Sequence, residues 1–338
     1  MPPLHIPHSR RGLLTFGAAA ALVGGAAAYR KVASTHAGHE PAVELIPGEE
    51  LETLGWGMLE TPEELGVTTP DGARLAVWDV GTGPVVVLAH CWSGSHAVWV
   101  PVARRLVESG HRVVLYDHRG HGASSRGTAS LSIETLSDDL AAVLRDRDVT
   151  DAVLAGHSMG GMSVMALATY HPEILAQRAR AIVLVATAAA DMGTGPAVLG
   201  RFAAGFVASP AVSLALRSPG GHRFVRGVFG ADPAREHLEL TRALLAACAP
   251  LVRASFLGAV GTVNLLEGIT MIGLPTTVVV GSRDRLTAPA RSHQMVQAIP
   301  GARLVTLPDR GHMLPLEDAD AVATEIERSV KGSNAVKG

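Results

Sequence analysis

From residue 66 onward the chain alternates short valine-rich apolar runs with longer amphipathic stretches, and few folds accommodate that pattern. The runs are 85–89, 112–116, 152–155, 181–186, 276–280 and 303–307. Each is too short for a helix and is bounded by turn residues, which predicts strands buried on both faces. Ahead of them, 67–69 and 74–80 flank Asp71-Gly72, a hairpin signature. Between the runs, Ile133, Leu136, Leu140, Val143 and Leu144 share one helical stripe. Residues 288–298 and 316–329 also read as helices. Strand–helix alternation at this spacing implies an α/β architecture, with a mostly parallel sheet wrapped by helices on both faces.

Residues 190–270 interrupt the alternation and hold five of the chain's six phenylalanines: Phe202, Phe206, Phe224, Phe229 and Phe256. They read as an inserted helical cap with an apolar underside. The core is thereby split into 66–189 and 271–331, with a short tail at 332–338. Lys and Arg total 29 against 31 Asp and Glu, a net charge of −2. No basic excess is present to neutralise phosphates, which disfavours nucleic-acid binding. The only cysteines, Cys91 and Cys248, exclude a disulfide scaffold and an all-cysteine metal site. Whether they pair is left open by the sequence.

The N-terminus is organised by charge. Residues 1–39 carry Arg10, Arg11, Arg30 and Lys31 and no acid, whereas 40–73 carry nine acids and no Lys or Arg. Arg10-Arg11 followed by an Ala/Gly-rich apolar run resembles a twin-arginine export signal, so 1–38 is expected to be a signal or an uncleaved membrane anchor. Residues 39–65 form an acidic linker. The protein is then expected outside the cytoplasm, the alternative being an N-terminal extension of a cytoplasmic enzyme.

Gly156-His157-Ser158-Met159-Gly160 lies between a predicted strand and a predicted helix. G-x-S-x-G at such a turn lifts a serine hydroxyl out of the sheet and leaves the next N–H, that of Met159, free to bind an anion. A serine nucleophile needs a base and an acid to orient that base. Asp284 and His312 follow two later strands in the required order, at the sheet edge where open α/β folds place ligands. Asp191 is the reserve acid, and Asp309 is too close in sequence to the base. Trp92, in the loop after 85–89, is positioned to offer a second oxyanion N–H. His90 is expected to brace that loop. The turn 117–124 is expected to be structural; its His118 and His121 lack a third ligand, and no metal site is read there.

On four segments, DHRGHGAS at 117–124, GHSMGG at 156–161, GSRDRLTAP at 281–289 and GHMLPLE at 311–317, the chain resembles the α/β-hydrolase superfamily over about residues 66–330. The resemblance is to the capped branch that includes monoacylglycerol lipases, ester hydrolases, cofactor-free haloperoxidases and carbon–carbon bond hydrolases. It implies an eight-stranded sheet with the cap after the sixth strand. It also implies Ser158 as nucleophile, Asp284 as acid, His312 as base, and Trp92 and Met159 as oxyanion donors, with no cofactor. One departure is that the usual His-Gly-X of the oxyanion turn is His90-Cys91-Trp92, and loss of glycine restricts that turn. Cys91 has no base of its own in the motif to make it a nucleophile.

The expected activity is hydrolysis of carboxylic esters with small-to-medium apolar groups. The alternatives are haloperoxidase or perhydrolase chemistry, carbon–carbon cleavage on the same triad, or a ligand-binding receptor with a vestigial triad.

Overall fold

The computed structural model describes residues 66–190, 209–218 and 220–332. The expected leader and linker, Asp191, Phe202, Phe206 and most of the tail lie outside the described residues.

Two strands, β1 (Gly66–Thr68) and β2 (Arg74–Val80), pair antiparallel with Val67 opposite Leu75. The turn between them closes through Gly72 N–H donating to the Thr69 carbonyl at 2.9 Å. Next come β3 (Val85–Ala89), helix α1 (Val100–Glu108), β4 (Arg112–Tyr116), α2 (Ile133–Asp146), β5 (Ala152–His157), α3 (Met159–Tyr170), α4 (Pro172–Arg178) and β6 (Ala179–Val185). The segment before the seventh strand contributes α5 (Pro210–Arg217), α6 (His222–Val225), α7 (Arg235–Ala247), α8 (Pro250–Thr262) and α9 (Leu266–Ile269). The chain then re-enters the sheet as β7 (Thr276–Gly281), α10 (Pro289–Ala298), β8 (Arg303–Leu307), α11 (Leu314–Glu317) and α12 (Ala319–Gly332).

The eight strands form one sheet in the order β1-β2-β4-β3-β5-β6-β7-β8. β1 and β2 run antiparallel to their neighbours, and every pair from β4 to β8 is parallel. The valine-rich central strands are buried along their length because helices cover both faces; β5 and β7 expose no residue. The stripe read on α2 is the face it buries: Leu136, Leu140, Val143 and Leu144 are each 0% exposed. Each such burial contributes about 1.5–3 kcal/mol.

One charged cluster spans the layers. The buried Arg119 guanidinium grips Asp139 of α2 at 2.7 and 2.6 Å, and Asp71 of the β1–β2 turn at 3.0 and 3.2 Å. It ties the hairpin to the helix that packs beneath it.

The sheet order fixes where a site can form. β3 and β5 are neighbours, with Ala89 opposite Gly156. The chain leaves β3 toward β4 on one side and leaves β5 toward β6 on the other. Loops diverging from adjacent parallel strands open a crevice at their C-terminal ends.

Some boundaries differ from those read in the sequence. β5 runs on to His157, because its pairing with β6 continues to Val185. The helix expected over 316–329 is two helices broken at Asp318, whose φ is −154° and whose carboxylate accepts from Ala321 N–H to start the second one. Ala190 and Asn264 make an isolated antiparallel bridge in a segment where no pairing was expected.

Candidate active site

Ser158 sits at the end of β5 with φ +54° and ψ −116°, a backbone conformation that costs of order 1–3 kcal/mol and persists only when its surroundings impose it. They do so at three points. Ser158 N–H donates to Val185 O at 3.0 Å, and the Ser158 carbonyl accepts from Met162 N–H at 3.1 Å and from Thr187 Oγ1 at 2.7 Å. The flanking glycines are required sterically. A Cβ on Gly156 would lie 2.4 Å from the Gly160 carbonyl oxygen, and one on Gly160 would lie 2.2 Å from that of Ala89. Met159 opens α3, so its N–H has no intrahelical acceptor.

Asp284 follows β7 in a turn closed by Asp284 N–H donating to Gly281 O at 3.0 Å. Its Oδ1 accepts from the N–H groups of Leu286 and Thr287 at 2.8 and 2.9 Å, and its Oδ2 from Thr287 Oγ1 at 2.7 Å. The same Oδ2 meets His312 Nδ1 at 2.9 Å. Burial acts to raise the Asp284 pKa, but the charge and hydrogen bond of His312, with the bonds from Thr287, outweigh it and hold the carboxyl well below the usual range. Asp284 is therefore an anion whose Oδ2 accepts a hydrogen bond from His312 Nδ1–H, which leaves Nε2 with its lone pair free.

The loop carrying His312 is seated directly on the elbow. His157 Nε2 donates to the His312 carbonyl at 2.8 Å, and the two imidazoles lie 5.1 Å apart. The structure thus pairs His312 with Asp284 and bonds the His312 loop to His157, the residue before Ser158; the three residues follow β8, β7 and β5, strands of one parallel set.

The loop after β3 that carries Trp92 rests on three buried histidines. His90 Nδ1 donates to Cys91 O at 2.8 Å and His90 Nε2 accepts from His118 N–H at 2.9 Å. His118 Nε2 donates to His90 O at 3.0 Å. His121 Nε2 accepts from Ser93 N–H at 3.1 Å while its Nδ1 donates to Arg119 O at 3.1 Å. These partners fix neutral tautomers. Asp117, wholly buried, accepts from His96 N–H at 2.6 Å and Ala123 N–H at 2.8 Å, locking the 117–124 turn against the segment that leads into α1. Replacement of glycine by Cys91 is accommodated because the positive φ of this loop, +53°, falls at Ser93 and not at Cys91. Among the described residues the Trp92 N–H has no acceptor, and Trp92 Nε1 donates to Arg253 O of α8 at 2.9 Å.

Cys91 and Cys248 are both buried free thiols. Burial pushes Cys91 up to about 12 and Cys248 to about 11, so neither is a ready thiolate. Asp309 lies in the loop before His312 and pairs with Arg283 at the surface.

Two contributors were not read from the sequence. Thr287 orients Asp284 by both its N–H and its hydroxyl; the D-x-x-T spacing in a turn after a strand is its signal. Thr187, two residues past β6, holds the Ser158 carbonyl, and no local pattern marks it.

The histidines also set a pH dependence. Burial lowers His118 to about 3, His121 to about 4 and His157 to about 3, and lowers His90 well below its ordinary value. In the unfolded chain each titrates near 6.5. Below that pH the unfolded state binds protons that the fold refuses, so stability is full above about 6.5 and falls on acidification toward 3–4. Urea unfolding at pH 7 and pH 5 is expected to differ by on the order of 4–8 kcal/mol. An unchanged unfolding free energy would show that these rings protonate within the fold.

Residues 84–319 match the family model described as alpha/beta hydrolase fold. A pimeloyl-[acyl-carrier protein] methyl ester esterase of Stenotrophomonas maltophilia is 28% identical over 264 residues, 76% of this chain and 97% of that protein. A non-heme chloroperoxidase of Kitasatospora aureofaciens is 37% identical over 94 residues, 28% of this chain and 34% of that protein. The solved esterase of Exiguobacterium antarcticum has the same fold, with a TM-score of 0.70 at 21% identity over 79% of this chain and 98% of that one.

Proposed function

The chain belongs to the alpha/beta hydrolase fold family, and from that premise we propose that it is a serine hydrolase of carboxylic esters working through an acyl-enzyme. The observation that carries this reading is the pairing of Asp284 Oδ2 with His312 Nδ1 at 2.9 Å, with the His312 loop bonded by His157 to the strained Ser158 elbow. His312 Nε2 takes the Ser158 proton as Oγ attacks the ester carbonyl. The oxyanion is received by the Trp92 and Met159 N–H groups. The imidazolium, balanced by Asp284, returns its proton to the leaving alcohol. Water activated by the same nitrogen then releases the acid. The chemistry requires no metal or cofactor.

The esterase relative supports ester substrates. The phenylalanine-rich segment between β6 and β7 is the basis for expecting apolar groups of small to medium size; of its described phenylalanines, Phe229 and Phe256 pack in the core and Phe224 is exposed. A panel of p-nitrophenyl esters tests this, with highest kcat/KM expected at short-to-medium acyl chains. Turnover of none of them would contradict the proposal. A second reading, with hydrogen peroxide replacing water as acyl acceptor, draws on the chloroperoxidase likeness. It is separated by peracid formation in the same panel. Export through the Arg10-Arg11 segment is part of the proposal and is tested by N-terminal sequencing of the extracytoplasmic protein: a start beyond residue 28 means cleavage, and an intact N-terminus in the membrane fraction means an anchor.

A further inference from the structure

His312 lies in a loop that has neither helix nor ladder to fix it. Between the end of β8 at Leu307 and the start of α11 at Leu314, its backbone must find partners elsewhere. Three consecutive N–H groups, those of residues 311, 312 and 313, are all captured. Gly311 N–H donates to Glu317 Oε2 at 2.9 Å and Met313 N–H donates to Glu317 Oε1 at 3.0 Å. His312 N–H donates to the Val228 carbonyl at 2.8 Å. Glu317 thus holds both sequence neighbours of the base with one carboxylate, folding back from the end of α11.

The same carboxylate reaches the segment between β6 and β7. Glu317 Oε2 also accepts from Gly230 N–H at 2.7 Å. The two backbones touch there: Ala231 N–H donates to Asp309 O at 3.0 Å. A Cβ on Gly230 would stand 2.1 Å from the Asp309 carbonyl oxygen, and one on Gly311 would stand 2.4 Å from Gly230 N. Among the described residues no lysine or arginine pairs with Glu317; the neighbouring Arg310 pairs with Asp318 at 2.9 Å. Its hydrogen bonds all go to main-chain donors, where charge-assisted bonds are short and directional, and His237 also feels its charge.

We propose that Glu317 is a positioning residue for His312, its carboxylate clamping Gly311, Met313 and Gly230 so that the base is seated against Asp284 only with the 228–231 segment in place. This rests on the reading of His312 as general base. Glu317 touches no reacting atom and acts through the loop. A displacement of the imidazole by a fraction of an ångström to 1 Å slows proton transfer without weakening substrate binding.

The test compares Glu317→Gln and Glu317→Ala with wild type, in kcat per titrated active site, KM and Tm. Gln offers an acceptor at one oxygen position only and turns an NH₂ toward an N–H at the other. We expect kcat to fall about 10-fold in Glu317→Gln and about 100-fold in Glu317→Ala, with KM within about 3-fold. Should Glu317→Ala fail to fold, the isosteric Glu317→Gln decides. Wild-type kcat per site, a loss explained entirely by fewer active sites, or a loss appearing in KM overturns the positioning role. Ser158→Ala in the same assay separates the two levels. If Ser158→Ala is inactive and Glu317→Gln retains wild-type kcat, the role of Glu317 alone fails. If Ser158→Ala retains turnover, the hydrolase mechanism fails and this role with it.

Discussion

Ser158→Ala is expected to lower kcat by about 10³-fold or more while leaving KM and Tm close to wild type. In the proposed mechanism the residue contributes the attacking oxygen, and no neighbouring group is placed to replace it. Burial holds Cys91 and Cys248 as thiols, and Asp284 is committed to His312 and Thr287. The fold should not suffer. Alanine meets the same φ of +54° that serine does, and the bonds that impose it run through main-chain atoms of residue 158. Residual catalysis, if measurable, would come from the proposed main-chain donors of Trp92 and Met159, which the substitution leaves intact. The check is steady-state kinetics beside a thermal melt. Turnover within tenfold of wild type would point to a different nucleophile.

Asp284→Asn is expected to cost about 10⁴-fold in kcat, with Tm lowered as well because the bonds that keep the carboxylate ionised also stabilise the fold. The amide is isosteric, and its oxygen still accepts the Leu286 and Thr287 N–H groups that shape the turn. The loss lies in the other atom. Where Oδ2 accepts the Nδ1 proton of His312 at 2.9 Å, an NH₂ donates instead. The imidazole then favours the tautomer with its proton on Nε2, which cannot accept the Ser158 proton. The anion that balances the imidazolium is lost with it. Full activity in this variant would mean that Asp284 only supports the turn, and would pass the acid's role to another carboxylate.

The sheet was legible in the sequence because its strands are buried on both faces. Continuous runs such as Val-Val-Val-Leu-Ala at 85–89 have few other uses, and the observed strand matches. The elbow was legible because its geometry demands small residues at fixed offsets, and Gly156 and Gly160 sit where any Cβ would strike backbone. Pairing of Asp284 with His312 could be anticipated from chain order, since the fold delivers successive strand ends to one edge. What bonds these residues in place was less visible. Thr287 has a local spacing that hints at its role, whereas Glu317, Thr187 and the Trp92–Arg253 contact act over 29 to 161 residues or through main-chain donors. A backbone N–H leaves no trace in a sequence, so a carboxylate that serves three of them looks like any helix-end acid. The helix break at Asp318 was hidden for the same reason, because a capping side chain resembles a tolerated surface aspartate until its partner is seen.

The most direct test of the central claim is covalent capture of the nucleophile. Wild-type protein treated with a fluorophosphonate, digested and mapped by mass spectrometry should carry one phosphonyl group per chain, on Ser158. Labelling should be lost in Ser158→Ala and slowed in step with kcat/KM in Asp284→Asn. A label on any other side chain, or none on a folded protein that still hydrolyses esters, would contradict the proposal that Ser158, His312 and Asp284 act as one relay.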